Sequence, residues 1–322
     1  MKLLVVGGAG YIGSHVALEA INHGYEVTIF DDLSSGSKEN IHSVASFFEG
    51  STLSDIDLSK VMKGSHFDAV IYLASNKAAG ESMNNPSQYA KNNIVGGINL
   101  IRACDKYEIN KFIFSSSAAV YGSPKYSPID ESHRLAPSNY YGYTKLVIEN
   151  NLNWFSRLKG QRYAALRYFN AAGYDVNQTI KAKEMNPQNL IPIVMEVASG
   201  TRKRLSVYGN DYHTKDGTGV RDYIHVSDLA VGHIKALNYL VESGKDLIVN
   251  LGTGEGHSVL DIINMAKKVS KNNIEYEFTS RREGDPDKVI AGSNHAKKLI
   301  DWDPKLSDLH TIISSTWNIY NQ

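Results

Sequence analysis

The sequence has very little cysteine, no excess of either charge and no long apolar run. Cys104 is the one cysteine among 322 residues, which excludes an intramolecular disulfide and any multi-cysteine metal site and favours a reducing cytoplasm. Lysine plus arginine and aspartate plus glutamate each number 34, so no general positive field exists to bind nucleic acid or an anionic membrane. No apolar stretch approaches the roughly 18 residues of a membrane span.

Metal-ligand spacing and a leader segment are missing as well. The eleven histidines show no ligand spacing, so we expect no metal. The opening MKLLVV runs into glycines before any cleavage pattern, and we interpret it as a strand rather than a signal peptide. Hydrophobic residues at 42% and charged residues at 21% are typical of an ordinary folded protein.

Short apolar runs alternate with helical patterns in the first half. This alternation predicts βαβ units on a parallel sheet. Strands are predicted at 2–6, 25–30, 68–74, 111–116 and 162–168, and helices at 12–23, 86–106 and 138–159.

The later half is less regular. It contains strand patterns at 205–209 and 246–250, helices after Ser227 and from Ser258, and a long polar loop at 209–222. We expect an α/β protein with a nucleotide-binding lobe at 1–170, onto which part of 221–242 packs, and a smaller interleaved α/β lobe at 171–322 that binds the substrate.

The segment GGAGYIG places glycines at Gly7, Gly10 and Gly13, between a predicted strand and a predicted helix. Glycines there allow a sharp turn and the close approach of a pyrophosphate to the helix start. Asp31 ends the next strand, 18 residues after Gly13, where a carboxylate accepts hydrogen bonds from an adenosine ribose. A Rossmann-type doubly wound sheet is therefore expected, with NAD favoured over NADP because Asp31 repels a 2′-phosphate.

The segment NYYGYTK at 139–145 raises the question of which tyrosine could be an acid/base group. On a helix only Tyr141 shares a face with Lys145, because the two are four residues apart. We expect the ammonium, together with an oxidised nicotinamide, to lower the pKa of Tyr141 by roughly 3 units from about 10. Ser117 ends the strand FIFSSS and could hydrogen-bond the reacting hydroxyl.

Five segments together resemble the extended short-chain dehydrogenase/reductase family, in particular its nucleotide-sugar 4-epimerases. They are GGAGYIGSH, FIFSSSAAVYG, YYGYTK, LRYFNAAG and GNDYHTKDGTGVRDYIHVSDLA. The resemblance implies a catalytic trio of Ser117, Tyr141 and Lys145. It implies cofactor contacts from these three and from Gly7, Gly10, Tyr11, Ile12, Gly13, Asp31, Asp32, Leu33, Ser34, Ser35, Gly36, Ser51, Thr52, Leu73, Ala74, Ser75, Lys77, Asn92 and Phe169. Substrate contacts are implied for Ser117, Tyr141, Asn170, Asn189, Ser206, Val207, Tyr208, Arg221, Arg282, Asp285 and Val289.

The implied activity is reversible 4-epimerisation of UDP-glucose and UDP-galactose through transient oxidation by tightly bound NAD, in a homodimer. Arginine forks at Arg221 and Arg282 suit a diphosphate. Ser51 replaces an aspartate and Tyr72 a histidine that are common in the family, so their effects on cofactor affinity stay open. Val289 stands where members restricted to non-acetylated sugars commonly carry a bulky tyrosine, and the room this leaves beside C2 of the sugar extends the expected substrates to UDP-GlcNAc and UDP-GalNAc.

Other functions remain open at this stage. A nucleotide-sugar dehydratase or decarboxylase would use the same first oxidation, but a dehydratase needs Asp-Glu where Ala118 and Ala119 follow Ser117. An NAD-consuming dehydrogenase differs mainly in releasing its cofactor. A non-catalytic NAD-binding regulator is the alternative outside enzymes, and the intact trio argues against it.

Overall fold

The computed structural model describes residues 1–184, 187–282 and 284–322. Its strands are β1 (Lys2–Val6), β2 (Glu26–Asp31), β3 (Ser46–Glu49), β4 (Ala69–Tyr72), β5 (Lys111–Ser117), β6 (Arg162–Tyr168), β7 (Asn170–Ala172), β8 (Leu205–Tyr208), β9 (Val220–Arg221), β10 (Tyr223–His225), β11 (Leu247–Leu251), β12 (His257–Ser258), β13 (Tyr276–Thr279) and β14 (Lys288–Val289). Its α-helices are α1 (Tyr11–Asn22), α2 (Asp55–Met62), α3 (Ala79–Asn84), α4 (Pro86–Tyr89), α5 (Gly96–Lys106), α6 (Tyr140–Lys159), α7 (Leu190–Ala198), α8 (Val226–Ser243), α9 (Val259–Ser270), α10 (Asn294–Ile300) and α11 (Leu309–Tyr320).

Seven parallel strands form the central sheet, in the order β11-β6-β5-β4-β1-β2-β3. Their side chains alternate between two apolar layers, as expected for a sheet covered on both faces. One layer packs against α1, α8 and α10, and the other against α2, α5 and α6. The predicted doubly wound α/β fold is confirmed.

The chain passes between the two predicted lobes more than once. It returns to the central sheet after residue 170, because α8 packs beside α1 and β11 pairs with β6 in the register Leu247↔Ala164. α8 lies in the 221–242 region that was expected to pack onto the first lobe, and β11 adds a strand from the range predicted for the second lobe to the central sheet. The division into two lobes itself stays a prediction.

The rest of the later half forms a lobe of short sheets and helices. β8 pairs with β13, β7 with β10, and β9 lies between β12 and β14. The lobe has its own apolar core, to which α7, α9 and α11 contribute. Within the described residues, no helix is both long and apolar enough to cross a membrane.

Candidate active site

The glycine segment forms a tight junction at the carboxyl end of β1. Gly7 has φ +82°, and a Cβ there would lie 2.5 Å from the Ala74 main-chain nitrogen. A Cβ on Gly13 would lie 2.0 Å from the Gly7 carbonyl oxygen, so α1 starts against β1 only with glycine there. Gly10 caps α1 without a side-chain hydrogen bond from any described residue, which leaves main-chain N–H groups of the first turn for an anion. This arrangement fits a dinucleotide pyrophosphate.

Asp31 lies at the end of β2 and has a role that the sequence did not show. Its carboxylate accepts hydrogen bonds from the main-chain nitrogens of Ala9 and Leu33, both at 2.9 Å. Burial raises the pKa of Asp31, and these two hydrogen bonds partly oppose the increase. The carboxylate therefore fixes the glycine loop against the loop after β2, and each oxygen keeps a lone pair for a ribose hydroxyl.

Most of the predicted cofactor positions lie at or just beyond the carboxyl ends of strands of the central sheet. The others lie on helical segments: Asn92 in the turn Ala90–Val95, and Tyr141 and Lys145 on α6. Parallel strands bring their carboxyl ends to one edge, where open α/β sheets bind ligands. Asp32–Gly36 follow β2, Ser51 and Thr52 follow β3, Leu73, Ala74, Ser75 and Lys77 follow β4, Ser117 ends β5, and Phe169 follows β6. The Lys77 ammonium pairs with the Glu184 carboxylate.

Asn92 lies in a π-helical turn, Ala90–Val95, that interrupts the helix predicted at 86–106. It donates to the Asn76 side chain at 3.3 Å. The next residue, Asn93, is buried and makes more contacts: it accepts from the Asn76 nitrogen at 2.8 Å and donates to the Thr144 hydroxyl at 3.0 Å. Asn93 thus joins the loop after β4 to the first turns of α6. The two adjacent asparagines, Asn92 and Asn93, were the signal that the sequence offered for this contact. A π turn changes which side of a helix a residue faces, so the sequence alone could not tell which of the two asparagines points inward.

The first turn of α6 carries Tyr141. Asn139 caps this helix by accepting from the Gly142 nitrogen at 2.9 Å, and the buried Ser82 hydroxyl accepts from the Tyr141 nitrogen at 3.0 Å. The Ser117 side chain is close enough to the Tyr141 hydroxyl to lower its pKa, against the larger effect of burial. Tyr143, by contrast, is 49% exposed.

Lys145 lies one turn further along α6 and is 3% exposed. Its ammonium donates to the Ser75 hydroxyl at 2.9 Å and to the Ser115 carbonyl at 2.8 Å. It also lies 5.6 Å from the centre of the Tyr141 ring. The pairing expected from the i,i+4 spacing is therefore present in the structure, while the catalytic roles stay predictions.

The surroundings that the chain itself provides do not lower the pKa of Tyr141, and the lowering expected together with an oxidised nicotinamide stays a prediction. Burial raises the pKa of Tyr141 to about 12, and the nearby Ser117 side chain opposes this only in part. Burial also lowers the pKa of Lys145 to about 7, against the opposing charge of Glu149. Withdrawal from water disfavours the phenolate and the ammonium alike, and the sequence estimate omitted that cost.

A second group of predicted residues comes together in the later lobe. The Arg221 guanidinium donates to Asp285 at 2.5 Å and to the Val220 carbonyl at 2.8 Å. The Arg282 guanidinium lies 4.1 Å from the centre of the Tyr208 ring. Val289 on β14 is the register partner of Arg221 on β9.

Asp222, which sequence reasoning did not single out, holds this part of the lobe together. It is fully buried and accepts from the nitrogens of Thr253, Gly254 and Ala291 and from the Thr253 hydroxyl, at 2.8–3.1 Å. Its own nitrogen donates to the Val289 carbonyl at 3.1 Å. The side chain therefore positions the neighbouring Arg221 and Val289.

The remaining substrate positions differ in what they offer. Asn170 begins β7 and Asn189 precedes α7, both exposed, while Ser206 and Tyr208 lie on β8. Val207 is 1% exposed and belongs to the core of the later lobe. Its side chain therefore cannot contact a ligand, and the prediction holds at most for its main chain.

An apolar cluster connects the two groups of residues. Its buried members are Val120, Tyr121, Ile129, Phe169 and Ala291. Ala118 and Val289 pack against it while remaining partly accessible. The turn that follows Ser117 and the strand that carries Val289 therefore border the same apolar wall. Among the described residues, no cluster of three or more His, Cys, Asp or Glu side chains could hold a metal ion.

A parallel sheet with a glycine-rich first turn, an acidic group ending β2 and a Ser-Tyr-Lys arrangement defines a dinucleotide-dependent oxidoreductive site. The model of the NAD dependent epimerase/dehydratase family matches residues 3–252, and the chain belongs to that family. The UDP-glucose 4-epimerase of Halalkalibacterium halodurans is 40% identical over 322 residues, which are all of this chain and 96% of that protein.

Solved structures of two UDP-sugar 4-epimerases have the same fold as this chain. UDP-glucose 4-epimerase from Brucella ovis in complex with NAD has a TM-score of 0.96 and 39% identity, with 99% of this chain and 98% of that chain covered. The UDP-Glc/GlcNAc 4-epimerase of Campylobacter jejuni has a TM-score of 0.87 and 38% identity, with the same coverage.

Proposed function

We propose that this protein interconverts UDP-glucose and UDP-galactose by inverting the configuration at C4 of the sugar, with NAD as a retained cofactor. The observation that carries the proposal is the meeting of Ser117, Tyr141 and Lys145 at the cofactor edge of the sheet. The relatives that match this chain over its whole length carry the same activity in their names.

NAD, held at this edge of the sheet, would supply a hydride acceptor for C4 and a hydride donor for the return, and would end unchanged. Tyr141 would remove the proton of the sugar 4-hydroxyl as C4 is oxidised, which produces a 4-keto sugar. Ser117 would hydrogen-bond the same oxygen, and Lys145 would stabilise the negative charge on the phenol. When C4 is reduced on its opposite face, Tyr141 would give its proton back to the 4-oxygen, so atoms and electrons balance.

Inversion requires a firm hold on the nucleotide and a loose hold on the hexose. Arg221 and Arg282 are the groups suited to grip the diphosphate, since a guanidinium fork binds phosphate oxygens bidentately. Asp285 already orients Arg221, and the face of Tyr208 supports Arg282. The keto sugar can then turn about its bond to the diphosphate while UDP stays in place.

The direct test supplies UDP-galactose without added NAD and follows UDP-glucose. We expect net conversion by the protein as purified. Tyr141→Phe should lower turnover by orders of magnitude with NAD still bound, whereas the exposed neighbour Tyr143→Phe should leave turnover unchanged. Unchanged turnover in Tyr141→Phe would remove this residue from the mechanism, and consumption of NAD without UDP-glucose would indicate a dehydrogenase instead.

A wider substrate range follows from Val289. Its partly accessible side chain packs against the apolar cluster that contains Phe169 and Ala291 and that also contacts Ala118, so a larger residue there would take up more space beside this cluster. We therefore propose that UDP-GlcNAc and UDP-GalNAc are also interconverted. Val289→Tyr should remove turnover of the N-acetyl sugars and keep that of UDP-galactose; wild-type protein that converts UDP-galactose but neither N-acetyl sugar would refute the proposal.

Self-association and location are inferred on separate grounds. Trp154 and Leu158 lie four residues apart on α6 and are 54% and 72% exposed, and Val95, just before α5, is 48% exposed. We propose that this face forms a homodimer. Leu158→Glu should halve the mass seen by light scattering, and Ile56→Glu, at an exposed position on α2, should not. A cytoplasmic location is inferred from the scarcity of cysteine, since Cys104 is the one cysteine of the sequence.

A further inference from the structure

Glu149 is a buried carboxylate one helical turn beyond Lys145. The i,i+4 spacing places both side chains on the same face of α6. The Arg167 guanidinium grips both carboxylate oxygens, with Nε to Oε1 at 3.0 Å and Nη2 to Oε2 at 2.6 Å. The Ser116 hydroxyl also donates to this carboxylate, and the side chains of both partners in the ion pair are 4% exposed.

The ion pair belongs to a chain of buried hydrogen bonds that leaves the site. Arg167 Nη1 donates to the Tyr121 hydroxyl at 3.2 Å, and this hydroxyl donates to Asn250 Oδ1 at 2.7 Å. Asn250 in turn donates through its main chain to Glu131 at 2.7 Å and through its amide to the Ile129 carbonyl at 2.8 Å. The carboxylate therefore has a fixed position relative to β5, β6 and β11.

We propose that Glu149 is a positioning residue that keeps the buried Lys145 protonated beside Tyr141, and that Arg167 holds its carboxylate in place for this purpose. The inference rests on the proposed function, since it concerns the same proton-transfer site. Glu149 would act through Lys145 rather than on the sugar.

The electrostatics of the lysine favour this role. Both hydrogen-bond acceptors of the Lys145 ammonium, the Ser75 hydroxyl and the Ser115 carbonyl, are uncharged. Burial lowers the Lys145 pKa to about 7, and the charge of Glu149 is what opposes that shift. A carboxylate one turn away stabilises an ammonium that solvent cannot reach.

Other ionisable groups also lie around Lys145 and Glu149, and the variants used in the experiment, apart from those at Arg167, leave them in place. They are Tyr163, Arg167 and Tyr168 on β6, Tyr121 after β5, Glu131 beyond Tyr121, and Tyr89 with Glu81 beside Tyr141.

The test is the pH profile of epimerisation in Glu149→Gln, in Arg167→Met and in the double variant. Loss of the carboxylate makes the site more positive, which lowers the proton affinity of Tyr141 and Lys145 together. The profile of Glu149→Gln should therefore move to lower pH by roughly one unit. The profile of Arg167→Met should not move in that direction, because it retains the carboxylate and loses a positive charge.

Removing one partner of a buried ion pair strongly destabilises a fold, whereas replacing both partners is better tolerated. The double variant therefore decides the question if Glu149→Gln is not recovered folded with NAD. It loses both charges of the pair, but the charge of Glu149 is the one that raises the Lys145 pKa, so its profile should still move to lower pH, by less than that of Glu149→Gln. A profile that keeps its wild-type position in the carboxylate-free variants, with only a lower maximum, would overturn the proposal, as would the same shift in all three variants. Lack of epimerisation by the wild-type protein would instead reject the proposed function.

Discussion

Three buried histidines make the stability of this protein sensitive to acid, and His233 allows the clearest test. Burial lowers the pKa of His15, His225 and His233 to about 4. His233 lies on α8, where its Nδ1 is 2.8 Å from the Leu229 carbonyl and its Nε2 has no partner among the described residues. His233→Phe removes the titrating group and keeps a ring beside Tyr168, 6.1 Å away between centres.

The sign and size of the effect follow from linkage. An unfolded histidine gains a proton near pH 6.5, but a native one with a pKa of about 4 does not, so the unfolded state binds more protons between these values. The free energy of unfolding therefore falls as the pH drops through this window. Integration from pH 8 to pH 5 gives a loss of about 2 kcal/mol for each such histidine. His233→Phe should lose about 2 kcal/mol less than the wild type over that range.

The assay is urea unfolding at pH 8 and pH 5 with saturating NAD, so that cofactor binding enters both proteins equally. His66→Gln, a change at an exposed histidine, is the matched control and should follow the wild type. If His233→Phe loses as much stability as the wild type on acidification, His233 is not held neutral in the native state. The account of burial given for the other two histidines would then fail as well.

Three further changes test the site. Gly13→Ala should abolish NAD retention, measured by absorbance of the purified protein, because its Cβ would meet the Gly7 carbonyl at 2.0 Å; Gly80→Ala, where a Cβ meets nothing within 4 Å, should retain NAD. Arg221→Lys should raise KM for UDP-galactose about 10- to 100-fold with a smaller change in kcat, because a bidentate hydrogen bond to phosphate is lost. A variant with an unchanged KM and a kcat lowered by that factor would contradict the assignment. Asp222→Asn should cost about 3 kcal/mol in urea unfolding, because an amide cannot accept from four donors, and a variant as stable as wild type would refute the role given to this carboxylate.

The sequence predicted the nucleotide-binding half well because its signals are local. Five strands of that half, β1, β2, β4, β5 and β6, are short runs rich in apolar or β-branched residues, and they lie within two residues of their predicted bounds. The glycine segment and Asp31 act through turn geometry, which sequence encodes directly. The pairing of Tyr141 with Lys145 required only the helical period.

Features set by distant parts of the chain were missed. β3 has a weak apolar pattern and forms because β2 offers it a free edge, in the register Thr28↔Ser46. β11 joins the sheet through its pairing with β6, 83 positions earlier in the register Leu247↔Ala164. In the sequence, Asp222 looks like an exposed charge beside Arg221. In the structure it is buried, and its four hydrogen-bond donors come from segments 31 to 69 residues away. No local pattern reports such contacts.

The pKa values of Tyr141 and Lys145 decide what the chain can do by itself. With the phenol at about 12 and the amine at about 7, moving a proton from one to the other costs the difference, on the order of 7 kcal/mol. Attraction between the resulting charges, which lie one helical turn apart, returns part of this cost. If Tyr141 is the base, as proposed above, a further nearby positive charge would have to offset the rest, and an oxidised nicotinamide would carry such a charge. The proposal therefore ties the strength of Tyr141 as a base to the oxidation state of the cofactor.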